Sequence, residues 1–294
     1  PPQCIPRLPR SVQLRKYWKA VEWQQWLLYF GLVCLDGILP VRYLNHFSLL
    51  VKGTFLLLQD SVSSSDIAMS TDCLVQFVVG IQFLYGEKNM TSNVHQLLHL
   101  PKSVVLQGPL WAHSCFCFEA SMGRLKGLIS SAKGVPHQIM TRVMMAHTLN
   151  ASKAVSSPHV QAFLKSTMPK ENVAFLGKPR LVEGPLYALI EKHVPDQING
   201  PVLEYDRVRI SGHLFHSEQY HRPDKTDCTA VGLPNNVCGK IQHIVSFGCS
   251  DTEKAFIVFR SCVAGPSFGT THITNVERWC ALKVIEIGAN AVPC

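Results

Sequence analysis

Lys240-Ile-Gln-His-Ile-Val-Ser-Phe247, a loop over 248–254, and the answering run Ala255-Phe-Ile-Val-Phe-Arg260 decide how the second half of this chain folds. Both runs are short and rich in β-branched and aromatic residues, and the loop between them is polar and starts with glycine. That pattern predicts an antiparallel hairpin. Around it, from about Arg180, the residues Pro185, Pro195, Gly200, Pro201 and Gly212 punctuate further strand-like runs over 202–203, 207–210 and 282–287. Helices tolerate such punctuation poorly. Residues 180–294 therefore read as a small β-rich module.

Working back towards the N-terminus, the spacing of apolar residues turns helical. Ser11 is placed to cap a first helix carrying Trp18, Trp23 and Trp26 as core residues, closed by Gly31 or by Asp36-Gly37. A second helix over 42–59 gathers Phe47, Leu50, Val51, Thr54, Phe55 and Leu58 on one face. Ser63, Ser64, Ser65 and Asp66 form a capping cluster for a third, which runs to Tyr85 and stops at Gly86. Thr91, Ser92 or Asn93 caps a fourth, ended by Pro101; a fifth spans about 114–131, and a sixth spans 137–149 after Gly134-Val-Pro136. The expected architecture is α+β: a linker-like start over 1–10, a mainly helical half over 11–170, and the β-rich module over 180–294. Pro1, Pro2, Pro6 and Pro9, with no initiator Met, suggest a cut from a longer product.

The chain has 294 residues and 47% hydrophobic content, enough for real cores. Its net charge is +8, of which residues 1–150 carry +6 (13 basic, 7 acidic) and 151–294 carry +2 (15 basic, 13 acidic). The excess concentrates further: residues 88–170 hold nine Lys/Arg, six His and a single acid, Glu119. A long cationic stretch of that kind suits a polyanion, and nucleic acid is the first to consider; the plainer alternative is a basic helical surface with an ordinary Glu. The 11 cysteines are scattered and include no CxxC, which reads as reduced intracellular thiols. The sequons at Asn89 and Asn150 are then chance matches. The apolar runs 26–41 and 47–58 are too short or interrupted for membrane spans, so no membrane partner is expected. There is no Walker loop, GxGxxG, GxSxG or HExxH.

Glu119 lies beside a stripe of Phe118, Met122, Leu125 and Ile129, with Gly123 and Lys126 on its own face and Arg124 next to them. Gly123 would admit another backbone or a sugar-phosphate chain. One carboxylate cannot run two-metal phosphoryl chemistry, which needs several acids; the alternative for Glu119 is a weak surface ion pair with Lys126. His95 and His99, at i and i+4, suit half of a zinc site or are two ordinary histidines. A zinc hydrolase at this pair would need a third ligand and a base that the motif does not supply. Cys115 and Cys117, with His113, invite a redox or metal reading, against which stands the reading as small buried residues on different helix faces; Trp111 reads as a base-stacking aromatic or a loop anchor.

Specific residues then resemble a known family. The run Leu84-Tyr-Gly86, Met90-Thr91-Ser-Asn93-Val-His95-Gln-Leu-Leu-His99-Leu100, Gly108-Pro109-Leu-Trp111, Phe118-Glu119 and Gly123-Arg-Leu125 resembles the C-terminal part of transposase-derived proteins of the CACTA (En/Spm) type. The stretches from Trp23 through Trp26-Leu-Leu-Tyr-Phe-Gly31 and from Gly37-Ile-Leu-Pro40 through Tyr43 to His46-Phe47 resemble the segment before that block, and 205–213 and 239–260 more weakly resemble the β module after it. The resemblance implies the C-terminal helical portion of an RNase H-like, DDE-type core, a nuclear location, and DNA as partner. It implies Mg²⁺ at Glu119 as last carboxylate, with the two Asp supplied upstream. It further implies structural Zn²⁺ at His95 and His99 sharing an upstream CxxC, and phosphate contacts by Arg124, Lys126, Lys133 and Arg142. Here the two catalytic Asp and the CxxC are missing, so the expectation is a DNA-binding, catalytically inactive derivative of an enzyme that cut and joined DNA strands. A homo-oligomer or the absent core are the further partners, and a non-catalytic protein- or nucleic-acid-binding module is the alternative.

Overall fold

The computed structural model describes residues 5, 8–167, 173–194, 198–220, 227–234, 237–249, 252–288 and 291–293. The helices are α1 (Ala20–Gln25), α2 (Gly31–Leu35), α3 (Val41–Leu57), α4 (Ser64–Tyr85), α5 (Ser92–Gln96), α6 (Leu100–Gln107), α7 (Cys115–Gly127), α8 (Val135–Ala154), α9 (Pro158–Thr167) and α10 (Pro185–His193). The strands are β1 (Val173–Leu176), β2 (Arg180–Leu181), β3 (Asn199–Tyr205), β4 (Arg207–Ile210), β5 (His213–His216), β6 (Ala230–Leu233), β7 (Val237–Cys249), β8 (Thr252–Ser267), β9 (Thr274–Glu286) and β10 (Val292–Pro293). The fold is α+β, with helices mainly in the first half and sheet in the second. Two compact units result: one gathers Pro1–Trp26, Glu171–Ser267 and His272–Cys294, the other Leu27–Lys170 and Phe268–Thr271.

In the sheet unit every strand pairs antiparallel. β7 is its spine: β8 lies along one edge, β6 and then β3 along the other, and β9 adds to β8. The predicted hairpin is β7–β8, longer at both ends than its apolar signal. Ala255, Phe256, Ile257, Val258 and Phe259 are all buried because both faces of β8 are covered. Ala255, Ile257 and Phe259 join Ile241, Ile244 and Val208, Ile210 and Phe215 of the three-stranded β1-β4-β5 sheet. Phe256 and Val258 turn the other way, with Val245, Phe247 and Ile190 of α10. Alternation along a strand feeds two cores only when each face has a cover, and then the run reads as continuously apolar. At Gly239 a Cβ would come within 2.6 Å of the Arg260 carbonyl oxygen, so glycine is what lets β7 and β8 close at that point.

The predicted first helix is not one helix. A 3-10 turn (Val12–Tyr17) precedes α1, which passes through a π-helical turn (Trp26–Phe30). Trp18 is buried between Trp23, at a ring distance of 4.7 Å, and Trp26, at 5.6 Å, but Trp23 itself is exposed rather than core. Glu22 is buried and receives Arg10 through Nε at 2.8 Å, and the Lys19 backbone N–H at 2.9 Å. The Arg10 hydrogen bond, helped by the Lys19 amide, holds the Glu22 carboxyl down to about 2.

In the helical unit α3 and α4 pack closely where side chains are small. Ser70 Oγ donates to the Gly53 carbonyl at 2.8 Å, and His46 Nε2 meets the Phe77 carbonyl at 2.8 Å while its ring stacks on Phe77. A Cβ on Gly80 would sit 2.5 Å from the His46 ring. The capping cluster is as expected: Ser63 Oγ accepts from the Asp66 amide, and Asp66 accepts from the Ser63 amide at 2.9 Å. The Ser63 hydroxyl, which donates to the Asp66 carboxylate at 2.5 Å, and then the Ser63 amide hold Asp66 below its ordinary carboxyl range. Gly86, at φ 88°, ends α4. By length and composition α4 could cross a membrane, which the sequence reading did not single out; its Leu74, Phe77, Val78 and Ile81 are buried within the helical unit.

Several helix bounds differ from expectation for identifiable reasons. Pro101 sits in the first turn of α6 and starts it instead of ending α5, since proline lacks only an N–H that is unbonded there anyway. α7 stops at Gly127 rather than near residue 131, and α8 runs from Val135 to Ala154, one turn beyond residue 149. α9 and α10 were not singled out; Pro185 reads as punctuation between strands but, like Pro158 in α9, occupies a helix start.

Candidate nucleic-acid interface

The cationic stretch builds three outward-facing features. In the first, Thr91 caps α5 through the Val94 amide, and Val94, Leu97 and Leu98 pack onto Phe77, Val78 and Ile81 of α4. With those three turned inward, His95 and His99 face outward and are exposed, their rings 5.1 Å apart and edge-on. The α-helix tightens to a 3-10 turn over Leu97–His99, yet the pair stays together.

The second feature is the α7–α8 hairpin. Its turn is pinned from α8: Gln138 Oε1 accepts the Ser130 amide at 2.9 Å, Gln138 Nε2 donates to the Lys133 carbonyl at 2.6 Å, and Arg142 donates to the Leu128 carbonyl and to Ser130 Oγ. Part of the Arg142 guanidinium therefore closes the C-terminal end of α7, a role its sequence position did not suggest. Gln138, which does most of the pinning, escaped the sequence reading altogether; a Gln four residues after a Gly-Val-Pro start carries no distinctive signal. Between the helices lies a groove of about 430 Å³ with a mainly apolar wall from Leu125, Leu128, Val143 and Ala146, to which Ser121, Arg124, Arg142 and His147 also contribute and no acidic residue does. Arg124 also donates to Ser121 at 3.1 Å. Lys126, on α7, and Lys133, in the turn between the helices, are exposed.

The third feature is the apolar surface of the same hairpin. Of the stripe Phe118, Met122, Leu125 and Ile129, Leu125 is half-buried in the groove while the other three are exposed, Phe118 at 68% and Met122 at 65%. Met140, Met144, Met145 and Leu149 continue the exposure along α8. Glu119 is exposed on α7. Around Gly123 a Cβ would meet nothing within 4 Å, so the space for an approaching chain is there. Cys115 is exposed, contrary to the expected burial; the side chain of Cys117 lies outside the described residues. Trp111 is half-exposed.

Neither family-implied metal fits these side chains. A structural zinc takes four ligands and a two-metal centre several carboxylates. Among the described residues no three His, Cys, Asp or Glu come together in a metal-holding arrangement, so His95–His99 remains a pair and Glu119 a lone acid.

In the sheet unit, residues far apart in sequence form a charged network. His243 Nδ1 lies 2.7 Å from Glu204, and Arg180 reaches Asp206 at 2.8 Å and Glu204 at 3.4 Å. The Asp206 hydrogen bond raises the Arg180 pKa, so the cation is permanent. This network ties β2, β3 and β7 together and offers no nucleophile. Comparison with protein-family models, with curated proteins and with solved structures returns no match for this chain.

Proposed function

We propose that the helical unit is a non-catalytic DNA-binding module, descended from the last-carboxylate region of a CACTA-type transposase and working in the nucleus. The observation that carries this reading is the α7–α8 groove: Arg124, Arg142 and His147 line it without a carboxylate, in a stretch of nine cations and one acid. Guanidinium groups suit phosphate oxygens because their planar donors can bond two at once. Lys126 and Lys133 extend the positive surface, and Trp111 and Phe118 supply exposed rings for unstacked bases.

Binding of this kind is governed by release of counterions, so log K falls with log salt at about 0.9 per phosphate neutralised. Titrating duplex and single-stranded DNA over a range of salt tests it, with Arg124→Ala, Lys126→Ala and Lys133→Ala as variants. Each is expected to weaken binding across all sequences and to lower the slope by about 1. Strand cleavage is not proposed for this chain by itself. Joined to a core bearing the two aspartates, it would be expected to nick DNA with Mg²⁺, and Glu119→Gln would abolish nicking without unfolding.

A second reading, a protein-interaction module, is favoured by one observation: the exposed Met140, Met144, Met145 and Leu149 on α8. Apolar surface of that extent marks interaction sites, and methionine adapts to varied partners. Salt-indifferent self-association, abolished by Met144→Glu, would favour it over DNA binding.

A further inference from the structure

The β7–β8–β9 sheet carries three cysteines side by side. Gly239 stands opposite Ser261 and Lys240 opposite Arg260, so the next step along the same antiparallel register sets Cys238 against Cys262. The Cys262 thiol donates to the Cys238 carbonyl oxygen, 3.4 Å away. On the other side of β8, Trp279 faces Cys262 and Cys280 follows it. Directly opposed residues of an antiparallel ladder have Cα atoms about 4.5 or 5.5 Å apart, according to the type of pair. Both distances lie inside the roughly 4.4–6.8 Å that a disulfide spans, and opposed side chains share a face.

The two thiols differ in a useful way. Cys238 is exposed, and Lys240, two residues along the same strand, is ion-paired to Glu218 at 2.9 Å. Cys262 is part-covered; burial pushes its thiol up, and the neighbouring Cys238 and Cys280 add to the rise.

We propose that Cys238 and Cys262 form an oxidation-responsive dithiol that closes to a cross-strand disulfide when it meets a small disulfide of the glutathione class. The Cys238 thiolate attacks one sulfur of oxidised glutathione; the S–S bond of that molecule breaks, a mixed disulfide forms on Cys238, and one glutathione thiolate leaves and takes up a proton. Cys262, now beside the mixed disulfide, loses its proton and attacks the Cys238 sulfur, expelling the second glutathione thiolate, which is protonated in turn. The protein gives up two hydrogens and two electrons, and oxidised glutathione becomes two reduced molecules. The new bond clamps the end of β7 to β8, where β6 also pairs.

Peptide mapping of the full chain, incubated with oxidised glutathione and then alkylated, tests this. The expected result is a cross-link between the peptides of Cys238 and Cys262, reversed by reduced glutathione and unchanged in Cys280→Ser. Cys262→Ser should stop at a stable glutathione adduct on Cys238, and Cys238→Ser should give no cross-link at Cys262. Recovery of Cys238 and Cys262 as alkylated thiols after exposure, a link from Cys262 to Cys280, or a first adduct on Cys262 would overturn the proposal.

Discussion

The β7–β8 hairpin and the α7–α8 hairpin are each two elements joined by a turn, but they treat apolar side chains in opposite ways. Along β8, five successive residues from Ala255 to Phe259 are buried, shared between two cores. In α7 and α8 none of the described side chains is buried, although Phe118, Met122, Met140, Met144, Met145 and Leu149 are large and apolar. The first arrangement stabilises the unit it belongs to. The second contributes little to folding and leaves apolar and cationic surface together, which is what a binding surface requires.

Substitutions can break or sharpen that contrast. Phe259→Ala removes a fully covered ring from the sheet core and should cost about 3–5 kcal/mol in chemical denaturation; a loss below about 1 kcal/mol would mean that the sheet core is looser than described. Gly80→Ala forces a methyl group against His46 and should cost about 1–3 kcal/mol, read as a fall in the midpoint of the helical unit. Glu22 gives a pH-gated effect. Its folded pKa is depressed from 4.5 to about 2, so its contribution is fully present above about 4.5 and is lost as pH falls towards about 2. Wild type should therefore lose stability through that window relative to Glu22→Gln, and parallel curves for the two proteins would remove the Arg10–Glu22 pairing from the account. Met144→Ser, at the other extreme, should change stability by no more than about 0.5 kcal/mol, because the side chain is already in water. A large loss there would show that α8 is covered in the folded protein.

The legible parts of this fold were those where one signal spoke for itself. The apolar runs of β7 and β8, the Ser63–Asp66 cap and the Gly86 stop all appear where their chemistry places them. β9 begins eight residues before its apolar stretch at 282, because most of its residues through Ala281 are exposed and Asn275, Glu277 and Arg278 hide the strand in polar composition. Pro101, Pro158 and Pro185 were ambiguous in kind: proline breaks a helix interior and equally begins one. At the candidate site, periodicity found the stripe on α7 but could not tell whether it faced a core or solvent. The groove needed α8, and with it the pairing of Arg124 with Arg142 and His147, which are 18 and 23 positions further along the chain. No local pattern encodes that juxtaposition.

The most direct measurement is the salt dependence of DNA affinity for the intact chain, beside a variant carrying Arg124→Ala, Lys126→Ala and Lys133→Ala together. If the α7–α8 surface grips phosphates through these cations, affinity should fall steeply with salt, and the variant's slope should be shallower by about 3. Equal slopes for the two proteins, or an affinity that ignores salt, would contradict the assignment of this surface to DNA.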